Sequence, residues 1–278
     1  KCKALKEQLE FCTNITKDIV EINAISVSLS FINNEEDIQF LLKKIKEYME
    51  EWIMEREKVA ILFTVGRDSS LVACLESLQD KEVHLITCNS GIGIKSELSE
   101  MRVKELIERF PNNIVGRTIL PTYGLFRSIA IKNLEADFKR WGINLVLLGD
   151  KLAIHAAATV YCLEHGIKKI VDGCVGYQED LAEQKNVAIE LFREFEAKYG
   201  IDYECPIYNF GDQDDVKYAL MTFGLSSKSL EGVSIFGDAF SEPTEEVVGE
   251  YIKDKLDICE EHVNFMTKTK DLMQNYQY

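Results

Sequence analysis

The sequence predicts an α/β domain built on a doubly wound, five-stranded parallel sheet, and three observations carry that prediction. Continuous apolar runs such as Val59–Phe63 (VAILF) have the pattern of strands covered on both faces rather than on one. From residue 58 to residue 172 these runs alternate with segments of helical periodicity, the order that winds a parallel sheet. Each run also ends in a short segment rich in Gly, Asp, Ser or Lys, where such sheets hold their ligands.

Residues 1–57 form an N-terminal extension in this reading. Residues 3–21 make one or two short helices. Ile25, Val27, Leu29 and Phe31 alternate with Ser26, Ser28 and Ser30 as a half-buried strand, and Ile38, Leu41, Leu42, Ile45, Met49, Trp52 and Ile53 line one face of a helix. The main domain, 58–235, opens with a strand at 58–64 and a helix from Ser69 to Leu78. A second strand spans Val83–Cys88, and a helix over 97–110 turns Leu98, Met101, Val103 and Leu106 inward. A third strand, 114–120, stops at Pro121, and residues 125–141 are helical. The apolar run Asn144–Leu148 (NLVLL) is the expected fourth strand, followed by a helix from Leu152 that ends at Gly166, and Lys169–Asp172 is the fifth. Beyond it the pattern gives a helix over 181–199, a short edge strand in 202–207 limited by Pro206, and a helix opening at 211–215. Residues 224–240 form an irregular, hydroxyl-rich loop long enough to fold over a cleft. The C-terminal segment, 236–278, is a helix begun by Ser241 and Pro243 whose Val247, Val248, Tyr251, Ile252, Leu256 and Ile258 dock on the body.

A formal net charge of −15 leaves no basic footprint for a phosphate backbone, so nucleic acid is an unexpected partner. No apolar window is long enough for a bilayer and no signal-peptide core opens the chain, which places the expected location in the cytoplasm with no membrane partner. The eight cysteines include no C-x-x-C pair and the four histidines are scattered, so neither a zinc ribbon nor a redox dithiol is visible.

Two loops carry the candidate chemistry. Thr64, Val65, Gly66, Arg67, Asp68, Ser69 and Ser70 put hydroxyls, a glycine and an acid where the free amides of a helix start meet an anion; an ordinary turn capped by Asp68 or Ser69 fits the same residues. Asp172–Asp180 combines Gly173 and Gly176 with Tyr177, Glu179 and Asp180, although an acidic first helical turn has the same composition. His155 follows Lys151 by one helical turn on the same face, and a core histidine is the better reading of it.

The turn FTVGRDSS resembles the PP-loop of the ATP pyrophosphatases, S-G-G-x-D-S, with Thr64 for the serine, Gly66 for the second glycine and Asp68–Ser69 for the Asp-Ser pair. Val65 stands where that pattern has its first glycine. The runs LLGDKLAIHAAATVYCLEHGIKKIVDG, GYQED and CPIYNFGDQDDVKYAL are similar to segments of 7-cyano-7-deazaguanine synthase-like proteins, without the cysteine cluster that binds zinc in them. This resemblance implies a Rossmann-like fold of the adenine nucleotide alpha-hydrolase type. It also implies ATP and Mg²⁺ as cofactors and an adenylating ligase that forms C–N bonds and releases AMP and pyrophosphate.

In that scheme Phe63, Thr64, Gly66, Arg67, Asp68, Ser69, Ser70, Cys88, Asn89 and Gly173 surround the nucleotide. Tyr177, Glu179 and Asp180 face the substrate, a small-molecule or protein acyl acceptor; Asp68 and Asp180 hold metal, and Asp68, Lys151 and Asp180 serve catalysis. A homodimer is compatible with it. The alternative is a catalytically inactive nucleotide- or partner-binding protein on the same fold, suggested by Val65.

Overall fold

The computed structural model describes residues 43, 56–94, 99–230, 232–236 and 242–274. The chain divides into two compact units, Lys1–Arg56 and Glu57–Tyr278. The strand at 25–31 and the helix face at 38–53 lie outside the described residues, Lys43 apart.

The second unit runs β1 (Lys58–Leu62), α1 (Arg67–Leu78), β2 (Glu82–Asn89), β3 (Gly93–Ile94), α2 (Ser99–Arg109) and β4 (Ile114–Pro121). It continues through α3 (Tyr123–Phe126), which passes into a π turn at Arg127–Ile131, then α4 (Leu134–Trp141), α5 (Val146–His165) and β5 (Lys169–Asp172). Two 3₁₀ turns, Gly176–Gln178 and Ala182–Gln184, lead to α6 (Asn186–Ala197), β6 (Asp202–Glu204), α7 (Gln213–Thr222), β7 (Val233–Ser234) and α8 (Glu245–Gln274).

Five parallel strands form one sheet in the order β4-β2-β1-β5-β6. β1 is central because Val59, Ala60, Ile61, Leu62 and Phe63 are all apolar and can be covered from both sides. Val59, Ile61 and Phe63 enter the layer under α1, α2 and α7, while Ala60 and Leu62 enter the layer under α5, α6 and α8. Burying one such side chain contributes about 1.5–3 kcal/mol. The order turns on β1: the chain lays β2 and β4 on one side and β5 and β6 on the other, so a crevice opens at the carboxyl end of β1 between α1 and α5.

Five expectations are corrected. The run NLVLL is the start of α5, not a strand, and β6 is the fifth strand instead. Asn144 Oδ1 accepts the Val146 N–H at 3.1 Å, which satisfies one free donor of the helix start, and buried Val146 and Leu148 face the core from the first turn. A short apolar run fits either element, and the helical length that follows decided this one. In α2 the inner face carries Arg102, Val103 and Leu106 while Met101 is exposed. Residues 125–141 are helical but interrupted by the π turn, and α6 begins only at Asn186, after a 3₁₀ turn. Finally, α5 is long and apolar enough to cross a membrane by composition, yet 67% of that stretch is buried inside the fold as its core helix. Gly166 ends it in the left-handed region at φ 67°, as its place in the sequence indicates.

Candidate functional site

The crevice at the end of β1 is a cleft of about 640 Å³. Its floor and walls come from the strand ends at Phe63–Val65 and Thr87–Ser90, from Arg117 and Ile119 of β4, and from Asp150, Lys151 and Ile154 of α5; Glu183 closes one side. Gly232 and Ser234 lie across it, because β7 pairs antiparallel with β3. Of the loop expected at 224–240, Gly232 and Ser234 therefore reach the cleft, and residues 231 and 237–240 lie outside the described residues. Its first part is anchored by the fully buried Arg102, whose Nη2 donates to the carbonyls of Ser226 at 2.7 Å and Lys228 at 2.8 Å.

The turn after β1 adopts a strained conformation. Val65 has φ 73° and is buried, so a β-branched residue occupies the left-handed region that glycine takes without cost. Gly66 then starts α1 with no side chain capping it. Thr64 Oγ1 accepts the Gly66 N–H at 3.3 Å and lies 3.3 Å from Ser69 Oγ, and the Ser70 hydroxyl donates to the Gly66 carbonyl at 2.5 Å. The hydroxyls thus brace the turn from within, leaving the helix-start amides without a side-chain cap. Gly173 closes on this turn: a Cβ there would stand 2.7 Å from the Ser69 nitrogen and 2.9 Å from the Asp68 carbonyl carbon.

Asp68 does not enter the cleft. Its Oδ1 accepts the Tyr177 hydroxyl at 2.5 Å, which joins the second loop to the first. Burial and then that bond push the Tyr177 phenol above its ordinary range, so it stays a donor. Arg67 sits beside this pair, toward Asp214 of α7. Glu179 and Asp180 are exposed and outside the cleft lining, and the Glu179 carbonyl accepts Lys185 Nζ at 2.9 Å. Among the described residues no group of three or more His, Cys, Asp or Glu side chains is arranged to hold a metal ion.

Lys151 lines the cleft and pairs with Asp172, a carboxylate at the end of β5 that also accepts the Tyr203 hydroxyl at 2.9 Å and the Gly173 N–H at 2.8 Å. Burial would lower the Lys151 pKa, but the Asp172 charge and hydrogen bond hold it above its ordinary value. Burial would raise Asp172, and Lys151 holds it below the usual carboxylate range. Behind them His155 is core, as expected: it is fully buried, stacks on Phe192 at 4.0 Å between ring centres, and shares a hydrogen bond of 2.9 Å with Glu196.

Three cleft residues escaped sequence reasoning. Asp150 is pushed up to about 6, by burial first, with Ser90 hydrogen-bonding it in opposition; its Oδ1 is buried without a partner. Glu183 is likewise raised by burial, and Arg117 pairs with Glu100 across the cleft wall. Asp150 follows Gly149 directly, yet only the helix register shows that it faces the cleft. Cys88 and Asn89 do line the cleft, the Cys88 thiol held neutral at about 12 by burial, and Phe63, with its side chain in the core, offers backbone alone.

No family model and no curated protein matches the sequence. Among solved structures the chain is similar to a 4-thiouridine synthetase in complex with RNA and bound ATP. The identity is 15%, covering 75% of this chain and 53% of that one, with a TM-score of 0.50. The two share a fold. The present chain spans about half the length of that synthetase. A predicted subunit of a tRNA methyltransferase from Methanocaldococcus jannaschii matches 64% of this chain and 96% of its own, at 18% identity and a TM-score of 0.39.

Proposed function

We propose that the chain binds ATP in the cleft at the end of β1 and adenylates an oxygen of its substrate, releasing pyrophosphate. The observation that carries this reading is the turn 64–70: an uncapped helix start, braced by three hydroxyls and approached by a glycine where a Cβ would clash with the backbone. It lies at the switch point of a sheet whose fold is shared with an ATP-bound synthetase. The groups that would meet a triphosphate are Lys151 in the cleft wall and the uncapped start of α1, which follows the cleft-lining Thr64 and Val65.

In this reading the amides of 67–69 hold the phosphates, since those of Gly66 and Ser70 already donate to Thr64 Oγ1 and the Gly66 carbonyl, and Lys151 opposes the charge that develops as pyrophosphate departs. The neutral Cys88 thiol and the Asn89 backbone border the base. Mg²⁺ takes one or two carboxylates together with phosphates and when bound would neutralise phosphate charge; Asp68, whose Oδ1 accepts the Tyr177 hydroxyl outside the cleft lining, would have to turn inward to hold it. Tyr177, Glu179 and Asp180 stand on the loop where an acyl acceptor approaches, Asp180 being exposed to meet it. The product is a C–N bond in a small molecule or a small-molecule conjugate of a protein, and the net charge of −15 disfavours a nucleic-acid substrate. A cytoplasmic location and a homodimer belong to the same proposal.

The test is exchange of labelled pyrophosphate into ATP by the full chain with a panel of carboxylate substrates. Exchange that Asp68→Ala abolishes supports the reading. Tight ATP binding with no exchange in any substrate pool moves the chain to the binding-only alternative that Val65 suggests, and no ATP binding overturns both.

A further inference from the structure

We propose that Asp172 is a positioning residue that keeps the ammonium of Lys151 charged in the wall of the cleft, giving the nucleotide site a cation that persists at every pH the enzyme meets. The inference rests on the nucleotide reading of that cleft and adds a residue that no motif marks.

The geometry is that of a built hub. Asp172 is almost fully buried at the end of β5 and accepts four donors: Lys151 Nζ, the Tyr203 hydroxyl at 2.9 Å, the Gly173 N–H at 2.8 Å and, more weakly, the Cys174 thiol at 3.4 Å. Tyr203 comes from β6, which is paired in register with β5, so the carboxylate is fixed by two strands. The Lys151 side chain is 12% exposed and reaches Asp172 from the second turn of α5.

The titratable groups facing this ammonium are Asp150 and His155 on its own helix, Cys88 at the end of β2, Asp172 and Cys174 at the end of β5, Glu183 on the 3₁₀ turn, and Cys205 after β6. Burial raises Cys88, while the bond to Cys205 and then burial raise Cys174, so both stay neutral. Burial also lowers His155 and raises Asp150 and Glu183, so each of these groups is driven toward its neutral form. Asp172 alone of the acids beside Lys151 is held below its ordinary range. With that charge gone, the burial that disfavours an ammonium acts on Lys151 against much weaker opposition. A buried ion pair is a poor device for stability. One whose cation lines a cleft and whose anion is held by four donors serves to present the cation.

The experiment compares the full-length wild type with Asp172→Asn, Lys151→Arg and the double variant between pH 6.5 and 9.5. One arm measures the affinity for inorganic pyrophosphate by calorimetry. The other measures acylation of Lys151 by an amine-reactive ester, read by mass spectrometry. Relative to wild type, Asp172→Asn is expected to lose at least tenfold in affinity as pH rises across this range. The double variant, whose guanidinium keeps its proton, should follow the wild-type profile. Lys151 should resist acylation in the wild type and become reactive at high pH in Asp172→Asn. Asp172→Ser serves as the second neutral variant should the asparagine protein fail to fold. A neutral variant whose affinity ratio to wild type is independent of pH, or whose Lys151 stays as unreactive as in the wild type, overturns the inference. Wild type that binds neither ATP nor pyrophosphate overturns the nucleotide reading instead, and the acylation arm still decides the role of Asp172.

Discussion

Replacing Val65 tests the most unusual feature of the turn. A non-glycine residue at φ 73° stores on the order of 1–3 kcal/mol, more for a branched side chain. Val65 is also 3% exposed and packs in the layer under α1, so its methyl groups contribute to the core. Val65→Ala removes two methyls and should cost about 1.5–2.5 kcal/mol, at roughly 0.8 kcal/mol each plus a cavity term. At an ordinary position, going on from alanine to glycine costs a further ~0.5–1 kcal/mol. At Val65 the sign should reverse, because glycine releases the left-handed strain that alanine keeps, and Val65→Gly should equal or exceed Val65→Ala by about 1 kcal/mol. The assay is urea denaturation of both variants, with Ala73→Gly inside α1 as the control, which loses about 1 kcal/mol of helix propensity and more from its buried methyl. A glycine variant about 1 kcal/mol less stable than the alanine variant would refute the strained conformation.

Three further outcomes are expected. Gly173→Ala should weaken ATP binding more than tenfold while lowering stability, since its Cβ meets the Ser69 nitrogen at 2.7 Å; calorimetry with an unchanged affinity would contradict the close approach. Asp150 has its folded-state pKa raised from 3.8 to about 6, so the folded chain holds that proton more tightly than the unfolded one. Its contribution is most favourable below pH 4 and declines until pH 6, above which the buried charge is a constant cost. Asp150→Asn should therefore gain about 2 kcal/mol over wild type at pH 7.5 and nothing at pH 4, and equal gains at both pH values would argue against it. Tyr177→Phe removes the 2.5 Å bond to Asp68, a charge-assisted bond worth about 1.5–3 kcal/mol, and should speed hydrogen exchange across residues 173–180 without changing that of α8.

The legible parts of the sequence were those where one pattern has one cause. Val59–Phe63 is continuously apolar because β1 is the centre of the sheet, and no helix of that length could be terminated by Gly66 so soon. The start of α1 directly after Gly66 follows from the same logic. NLVLL failed because four apolar residues carry no period, and only the ensuing helix, whose Val146 N–H donates to Asn144 Oδ1, fixes their form. Reading a strand there put Lys151 at the mouth of a helix; it belongs to the second turn, where Asp172 can reach it. Asp150, Glu183 and Arg117 were illegible for a different reason. Each is an ordinary charged residue in sequence, made part of the site by burial or by partners that come from distant segments, as Arg117 finds Glu100 and Asp150 finds Ser90. Tyr177 was singled out for the substrate, and its bond to Asp68 across 109 residues could not be read from either loop.

Hydrogen exchange with and without ATP, followed by mass spectrometry on the full chain, tests the central claim most directly. The account predicts slower exchange at 63–71 and 87–92 and no change in β6 or α7. Protection confined to other segments, or none at 66–70 under saturating ATP, would contradict it.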